Sequence, residues 1–458
     1  MLSLVVVLGA GAYAAYDAGL LDRLLAPDDS APAAIPPPEG VKLPPAAPAR
    51  PVLDQTDLSS LPTPRRLRSH VSDSLRDDAF GRHLGVLVQP LGSRRDLLRV
   101  GGHDAFKPAS SMKLLTTTTA LQLMGPRHRF DTTVVRGTNK RSIVLVGGGD
   151  PLLTQKPIAD EYPEPATLRD LARQTAKQLK ADKVSRVRLG YDDSLFSGPA
   201  VSPVWEPDYV SGDVVSPISA LWVDEGREAP LLVSRSDNPA KAAAEAFADE
   251  LERAGIAVRG APDKETAPDR STELARVQSP TLAQIVEEVI ENSDNEGAEV
   301  LLRQAGLAFG NRGSFEGGAA AVRATISRLG VDMSHVVIHD GSGLSRNDRL
   351  SLDTLVGTLQ AAASPSNPDL RPVVAGLPVA GFNGSLAYRY VVFGEEGRGL
   401  VRAKTGTLSN VNALVGVTVD RDNAPLVFAA VADHVRLIKT LDARAALDAL
   451  TADIATCC

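Results

Sequence analysis

Paired runs of hydrophobic residues near each end of the chain predict two β-hairpins. In each pair a short polar segment separates two strand-like runs rich in valine and leucine. The runs lie at 83–88 with 97–100, and at 411–419 with 426–431. Because strands come from both ends of the chain with helices between them, we expect one antiparallel sheet assembled from distant parts of the sequence.

Hydrophobic positions repeat with helical spacing elsewhere in the chain. The predicted helical stretches lie at about 61–78, at 114–124, on either side of 293–295, and over the last twenty residues. The segment 131–275 differs, with short strands such as 142–146 and a Gly-rich turn at 147–151. The pattern predicts an α+β fold in which residues 61–130 and 276–458 form one domain and residues 131–275 a large inserted domain.

The first 60 residues are predicted to be a leader followed by a spacer. No charged residue occurs from Met1 to Tyr16, and this stretch contains the apolar run 4–8, so residues 1–25 are expected to be a signal peptide or a membrane anchor. Nine prolines between Pro27 and Pro51, mixed with alanine, predict an extended linker over residues 26–60. This order is typical of a protein that acts outside the cytoplasm, with a possible membrane tether through its N-terminus.

Composition excludes several classes of function. With 458 residues, 43% of them hydrophobic, the chain is long enough for two or three domains. Its formal charge of −7 gives no reason to expect nucleic acid as a partner. Cys457 and Cys458 are its only cysteines, so no disulfide framework is expected, and these last residues are interpreted as a frayed terminus. No His, Cys or carboxylate cluster predicts a metal or cofactor.

The segment Ser110-Ser111-Met112-Lys113 precedes the predicted helix at 114–124. Residues three apart share one face of a helix, so the Ser110 hydroxyl and the Lys113 amine can meet. A hydroxyl becomes a good nucleophile when a base removes its proton, and an amine can do so once burial lowers its pKa. A serine that caps a helix beside a solvated lysine is the competing interpretation of this motif taken alone.

Ser-x-Asn occurs three times, at 236–238, 293–295 and 345–347. Asn238 precedes Pro239 and an alanine-rich run, where it is explained as a helix cap, and 345–347 lies in a polar loop. Ser293 and Asn295 instead join two amphipathic helices, where a hydroxyl and an amide can form one wall of a cleft. We therefore favour Ser293 and Asn295.

Lys404-Thr405-Gly406-Thr407 is the only Lys-Thr-Gly of the chain and directly precedes a predicted strand. A lysine and a threonine there can bind a substrate carboxylate, and the glycine lets a substrate lie close to the strand. A phosphate-binding loop would need glycine where Arg398 and Ala403 stand.

Taken together and in this order, the three motifs resemble those of the penicillin-binding proteins and serine β-lactamases. More narrowly, the chain resembles the class C low-molecular-mass group, the D-alanyl-D-alanine carboxypeptidase/endopeptidase family of the S13 peptidase type. That group carries a large insertion between the first two motifs, as this chain does between Ser110 and Ser293. The likeness covers about residues 60 to 455 and includes further stretches at 147–151, 191–196 and 340–345.

The resemblance implies a fold, a reaction and partners. The fold would be the penicillin-binding-protein domain, an antiparallel sheet flanked by helices, with one inserted domain. Ser110 would attack D-Ala-D-Ala ends of peptidoglycan stem peptides, with Lys113 as base and the N–H groups of Ser110 and Thr407 as oxyanion hole. Ser293 would relay the proton to the leaving amine, and Asn295 would hold the acyl peptide. Lys404 and Thr405 would bind the terminal carboxylate, and β-lactams would be covalent inhibitors.

Several alternatives stay open within and outside this family. A DD-endopeptidase that cuts cross-links, a β-lactamase and an inactive wall-binding protein share the motifs or the fold. A Ser-His-Asp hydrolase is suggested only by the run from His339 to Gly343, where Asp340 replaces the first glycine of the Gly-x-Ser-x-Gly elbow.

Overall fold

The computed structural model describes residues 61–228 and 233–458. The predicted leader, 1–25, and the predicted linker, 26–60, therefore lie outside the described residues. The described residues all belong to one unit of the fold. Among the helices of the described part, none combines the length and the apolar character that crossing a membrane requires.

The strands of the described residues are numbered here in chain order. They are β1 Leu84–Pro90, β2 Leu98–Val100, β3 Ala105–Phe106, β4 Asp131–Arg136, β5 Ser142–Val146, β6 Arg186–Asp192, β7 Ala257–Val258, β8 Asp263–Lys264, β9 Glu273–Gln278, β10 Leu350–Ser351, β11 Arg402–Leu408, β12 Val411–Val419 and β13 Pro425–Ala432.

The α-helices are numbered in the same way. They are α1 Pro64–His70, α2 Lys113–Met124, α3 Leu168–Ala181, α4 Pro239–Arg253, α5 Leu282–Glu291, α6 Asn295–Ala308, α7 Phe315–Arg328, α8 Leu352–Ala363, α9 Arg371–Ala375 and α10 Thr440–Thr456. Side chains cap several N-termini: Thr281 and Gln284 form a reciprocal capping box at α5, and the Asn238 side chain accepts from Lys241 N at α4. The expectation that Asn238 is a helix cap is confirmed.

A five-stranded antiparallel sheet joins the two ends of the described chain, in the order β11-β12-β13-β1-β2. Strand β1 pairs with β2 on one side and with β13 on the other, so that Leu87 lies opposite Arg99 and Ala429. Strands β11 and β12 pair with Lys404 opposite Val415. Both predicted hairpins, and the sheet built from distant parts of the sequence, are confirmed.

Alternation along the central strands divides the core into two layers. Leu87 packs in a cluster with helices α2, α5, α6 and α8, whereas its neighbours Val86 and Val88 pack with α1 and α10 on the other face. The sheet is thus covered by helices on both faces, and the expected α+β fold class is confirmed.

A second sheet is formed within residues 131–278. Its order is β7-β6-β5-β4-β9, with β8 paired to β6. Strand β5 is parallel to β6, whereas β4 is antiparallel to both β5 and β9. Helices α3 and α4 supply buried residues to a separate hydrophobic cluster together with this sheet. The interpretation of 131–275 as an inserted domain stays a prediction, and β9 ends three residues beyond its expected boundary.

Two expectations about the chain ends are wrong. The predicted helix at 61–78 ends at His70 and is followed by two short 3₁₀ turns, at 74–76 and 78–80, because the Asp77 side chain accepts from Ala79 N and caps a new turn. The terminus is not frayed: α10 continues to Thr456, and Cys457, which forms a disulfide with Cys458, is fully buried in the layer under the sheet.

Candidate active site

Ser110 lies in a tight 3₁₀ turn, Ala109–Met112, that runs directly into helix α2. Its side chain is partly exposed, while Ala109, Ser111 and Met112 around it are buried. Ala109 has a positive φ of 46°, a conformation that costs a residue with a Cβ about 1–2 kcal/mol. Such strain beside a partly exposed serine is typical of a functional turn, where the surrounding packing fixes the backbone.

Lys113, the first residue of α2, is fully buried and points at Ser110. Its Nζ lies 2.9 Å from Ser110 Oγ, 2.8 Å from Asn295 Oδ1 and 2.9 Å from the carbonyl oxygen of Ser342. Burial lowers the pKa of Lys113 to about 8, although nearby carboxylates, Asp294 first among them, act in the opposite direction. The amine is therefore placed and tuned to exchange a proton with the Ser110 hydroxyl.

Ser293 and Asn295 lie at the junction between α5 and α6. Ser293 has a positive φ of 62°, which turns the chain between the two helices, and its side chain is partly exposed. Asp294 caps α6 by accepting from Gly297 N at 2.9 Å. Asn295 uses both ends of its amide, since Oδ1 accepts from Lys113 and Nδ2 donates to Val214 O at 3.2 Å.

Strand β11 brings the third motif against the Ser110 turn. A Cβ added at Gly406 would lie 2.8 Å from Pro108 O and 3.2 Å from Ala109 Cβ, so only glycine permits this approach. The Thr405 hydroxyl donates to Ser385 Oγ at 2.9 Å, and the Thr407 side chain is exposed.

Lys404 is fully buried, and its Nζ donates to the Thr405 carbonyl oxygen at 3.0 Å. Burial lowers the pKa of Lys404 well below its usual value, and the positive charge of Lys113 lowers it further. The positive charges of the two lysines therefore repel each other. The structure brings Ser110, Lys113 and Asn295 into direct contact and places β11 beside them.

Three buried acids lie under this site, and their sequence pattern predicts no role for them. Glu299, Asp340 and Asp348 are fully buried around the segment 340–348, and Ser342 in that segment supplies a carbonyl to Lys113. The segment 340–345 was noted only as a likeness to the family. A single acidic residue on a helix predicts a solvated face, so the sequence pattern gave no signal for Glu299.

The run from His339 to Gly343 does not form a hydrolase elbow. Ser342 is fully buried, and its hydroxyl oxygen accepts from Leu344 N at 3.3 Å, so no substrate can reach it. Asp340 accepts instead from Trp205 Nε1 at 2.7 Å and from backbone N–H groups.

Among the described residues, two groups place three candidate metal ligands close together: His83, Asp433 and His434, and Glu225, Asp294 and Glu296. In the second group Glu296 already forms an ion pair with Arg235 at 2.8 Å and accepts from Ser216 N. Because protein groups already compensate the charge of Glu296, the geometry gives no reason to place a metal in this second group.

Comparison with known proteins identifies the family. The sequence matches the D-Ala-D-Ala carboxypeptidase 3 (S13) family over residues 67–235 and 228–454. It is 34% identical to carboxypeptidase DacB of Mycolicibacterium smegmatis, with 90% of this chain and 89% of that protein covered. It is 27% identical to a D-alanyl-D-alanine carboxypeptidase of an Actinomadura species, with 76% and 78% covered.

A solved structure shows the same fold. Penicillin-binding protein 4 (dacB) of Haemophilus influenzae superposes with a TM-score of 0.67 at 20% identity, over 80% of this chain and 93% of that chain. The expected penicillin-binding-protein fold is thereby confirmed. With family matches that together span residues 67–454 and relatives covered over most of their length, the chain belongs to the D-Ala-D-Ala carboxypeptidase 3 (S13) family and is a serine-type D-Ala-D-Ala carboxypeptidase.

Proposed function

We propose that Ser110 is the nucleophile of this carboxypeptidase and that the amine of Lys113 is its general base. The observation that supports this most is the 2.9 Å separation between Lys113 Nζ and Ser110 Oγ, with the lysine fully buried. With a pKa lowered to about 8, a useful fraction of the amine is neutral near neutral pH.

In the proposed acylation, Lys113 takes the proton of Ser110 as Oγ attacks the carbonyl carbon between the last two D-alanines of a peptidoglycan stem peptide. The resulting oxyanion accepts from the backbone N–H groups of Ser110 and Thr407, each such donor being typically worth about 10² to 10³ in rate. The close approach of β11 to the Ser110 turn at Gly406 supports this pairing of donors.

The C–N bond then breaks as the leaving nitrogen receives a proton. Ser293 is the proposed relay, passing to the terminal D-alanine the proton that Lys113 holds, which leaves the acyl peptide as an ester on Ser110. Asn295 is proposed to hold that acyl peptide. Its Nδ2 donates to Val214 O in the free protein, so substrate binding must exchange this bond for one to the peptide.

Lys404 and Thr405 are the proposed recognition groups for the terminal carboxylate. The anion would relieve the repulsion between Lys404 and Lys113, which supports binding of a negatively charged group at this end of the cleft. Gly406 would leave room for the substrate along β11.

Water hydrolyses the ester in the last step and regenerates Ser110. A β-lactam presents the same carbonyl, but the amine released by ring opening stays attached and cannot depart. The opened β-lactam is therefore proposed to remain on Ser110 as a stable ester.

The site of action is proposed to be the cell-wall space, where peptidoglycan is found. The sequence of residues 1–60, an apolar segment followed by a Pro/Ala-rich spacer, supports export and a possible membrane tether.

The nucleophile is tested by labelling with a fluorescent penicillin. Ser110→Ala is expected to abolish covalent labelling, while Ser93→Ala, at a partly exposed serine in the turn between β1 and β2, keeps it. Labelling that survives Ser110→Ala would overturn the assignment. D-Alanine release from a pentapeptide, compared with cleavage of a cross-linked muropeptide, separates the carboxypeptidase from the endopeptidase reaction.

A further inference from the structure

Two consecutive residues, Gly341 and Ser342, are clamped by their backbone groups between helices α2 and α6. Their two N–H groups donate to the carboxylate of Glu299, from Gly341 at 3.0 Å and from Ser342 at 2.8 Å. Their carbonyl oxygens accept from side chains of α2, Gly341 O from Thr116 Oγ1 at 2.8 Å and Ser342 O from Lys113 Nζ at 2.9 Å. The Ser342 carbonyl is therefore positioned by the Glu299 carboxylate on the preceding peptide, together with Asp340, which accepts from Gly343 N at 2.8 Å on its own peptide.

Helix α6 thus holds the lysine amine in two ways. Asn295, in its first turn, accepts directly from Lys113. Glu299, one turn further and fully buried, acts through Ser342. We propose that Glu299 is a positioning residue for acylation, which keeps the Ser342 carbonyl against Lys113 and so keeps the amine aimed at Ser110. The inference rests on the proposed roles of Ser110 and Lys113.

Charged groups surround Lys113 on each element packed against it. Asp294, Glu296 and Glu299 lie at the start of α6, Asp340 lies in the 340–348 segment, and Lys404 lies on β11. The four acids favour the charged amine, whereas burial favours the neutral one, and the repulsion between the two lysines acts in the same direction as burial.

The pKa of Glu299 lies in the same range as the pKa of Lys113. Burial, followed by the charge of Asp340, raises its pKa to about 8, while hydrogen bonds from Ser342 and Gly341 act against this. Because the carboxylate favours the charged form of Lys113, a proton on Glu299 favours the neutral amine. Arg303, one turn further along α6, is a buried cation on which the charge of Glu299 also acts.

The segment that carries Ser342 has supports besides Glu299. Asp340 accepts from Gly343 N at 2.8 Å and from Ser345 N at 2.6 Å. Asp348 accepts from His339 N, and burial with the nearby charge of Asp340 raises its pKa well above the usual value, so it can share a proton with Asp340. A change confined to Glu299 should therefore leave the segment folded.

The test compares Glu299→Gln with Glu250→Gln, a change at an equally enclosed carboxylate on α4 that pairs with Arg169 and Arg253 in the second sheet region. The second-order rate constant for acylation by a fluorescent penicillin is measured from pH 5 to 10, together with thermal unfolding. In Glu299→Gln an amide NH₂ faces the Gly341 N–H, so the peptide shifts and the maximal rate is expected to fall about 10-fold or more.

Removing the charge is also expected to move the midpoint of the pH–rate profile of Glu299→Gln to lower pH, because the pKa of Lys113 falls. Glu250→Gln should keep both the rate and the midpoint. A folded Glu299→Gln with the wild-type rate, or with a lower rate and an unmoved midpoint, would overturn the inference.

A second variant covers the case in which Glu299→Gln does not fold. Thr116→Val removes the bond to Gly341 O without changing any charge, so the rate should fall at every pH with the midpoint unmoved. A wild-type rate in Thr116→Val would then count against the clamp. Failure of the wild-type protein to react with penicillin would contradict the proposed function instead.

Discussion

Two buried lysines share the candidate site, and neither has a carboxylate within hydrogen-bonding distance among the described contacts. Lys113 is held by a hydroxyl, an amide oxygen and a carbonyl, and Lys404 by a carbonyl alone. Such partners accept from an ammonium but do not neutralise it, so burial keeps the pKa of both groups below the usual lysine value. A lowered pKa is what the proposed role of Lys113 as a base requires.

The repulsion between the lysines gives a prediction with a definite sign. Because the repulsion that Lys113 exerts on Lys404 is mutual, Lys404→Gln should raise the pKa of Lys113 and move the midpoint of the acylation rate against pH upwards. The KM for a pentapeptide should rise because a carboxylate contact is lost. Lys180→Gln, an exposed lysine on α3, is the control for acylation and should leave the profile unchanged.

A downward shift in Lys404→Gln would contradict this electrostatic coupling. The shift expected here is opposite to that of Glu299→Gln, so one set of measurements tests both charges.

At the scale of elements, the site depends on how closely the 340–345 segment approaches the Ser110 turn. Gly343 has a positive φ of 81°, and a Cβ there would lie 1.8 Å from the carbonyl oxygen of Ala109. The strained turn before the nucleophile is thus fixed by direct backbone contact with the segment that carries the Ser342 carbonyl.

Gly343→Ala should therefore destabilise the protein by more than the cost of a positive φ in alanine, because the new Cβ would also collide with Ala109. We expect a loss of at least about 2 kcal/mol in the free energy of unfolding and a strong loss of penicillin labelling, since the Ser110 turn must move. Gly92→Ala is the matched control, because Gly92 has a φ of 84° but open space around it. It should cost about 1–2 kcal/mol and keep labelling. Equal effects of the two substitutions on labelling would argue against the contact.

Elements with regular periodicity were predictable from the sequence, and contacts between elements were not. The hairpins and the helix after Ser110 followed from local pattern, and the choice of Ser293 and Asn295 followed from the amphipathic helices beside them. Glu299 and Asp340 could not be predicted, because their function depends on backbone N–H groups that only tertiary packing brings to them. The helix predicted beyond His70 does not form, although its hydrophobic periodicity continues. Side-chain capping by Asp77 favours a separate 3₁₀ turn at 78–80 instead.

At the scale of the whole molecule, buried carboxyl groups link stability to pH. Asp150, in the Gly-rich turn, is almost fully buried, and burial raises its pKa from 3.8 to about 7. The folded protein holds a proton there that the unfolded chain releases above pH 4. The contribution of this group to stability is therefore full below pH 4 and is lost as the pH rises towards 7.

Asp150→Asn should remove this dependence. The difference in free energy of unfolding between variant and wild type should shift in favour of the variant from pH 4 to 7, by on the order of a few kcal/mol, and then level off. Denaturant unfolding at several pH values measures it. Asp249→Asn, at an exposed position on α4, should show a much smaller shift, and a flat difference for Asp150→Asn would contradict the expectation.

Because the sheet pairs β1 with β13, the order in which the chain is synthesised limits when the active site can form. A ribosome makes Ser110 and Lys113 long before it makes β11 and β12, the strands that pack against the Ser110 turn. Closing so long a loop is slow, and a chain still in translation cannot assemble the cleft. The active site therefore cannot form until these strands have been synthesised and the sheet has closed.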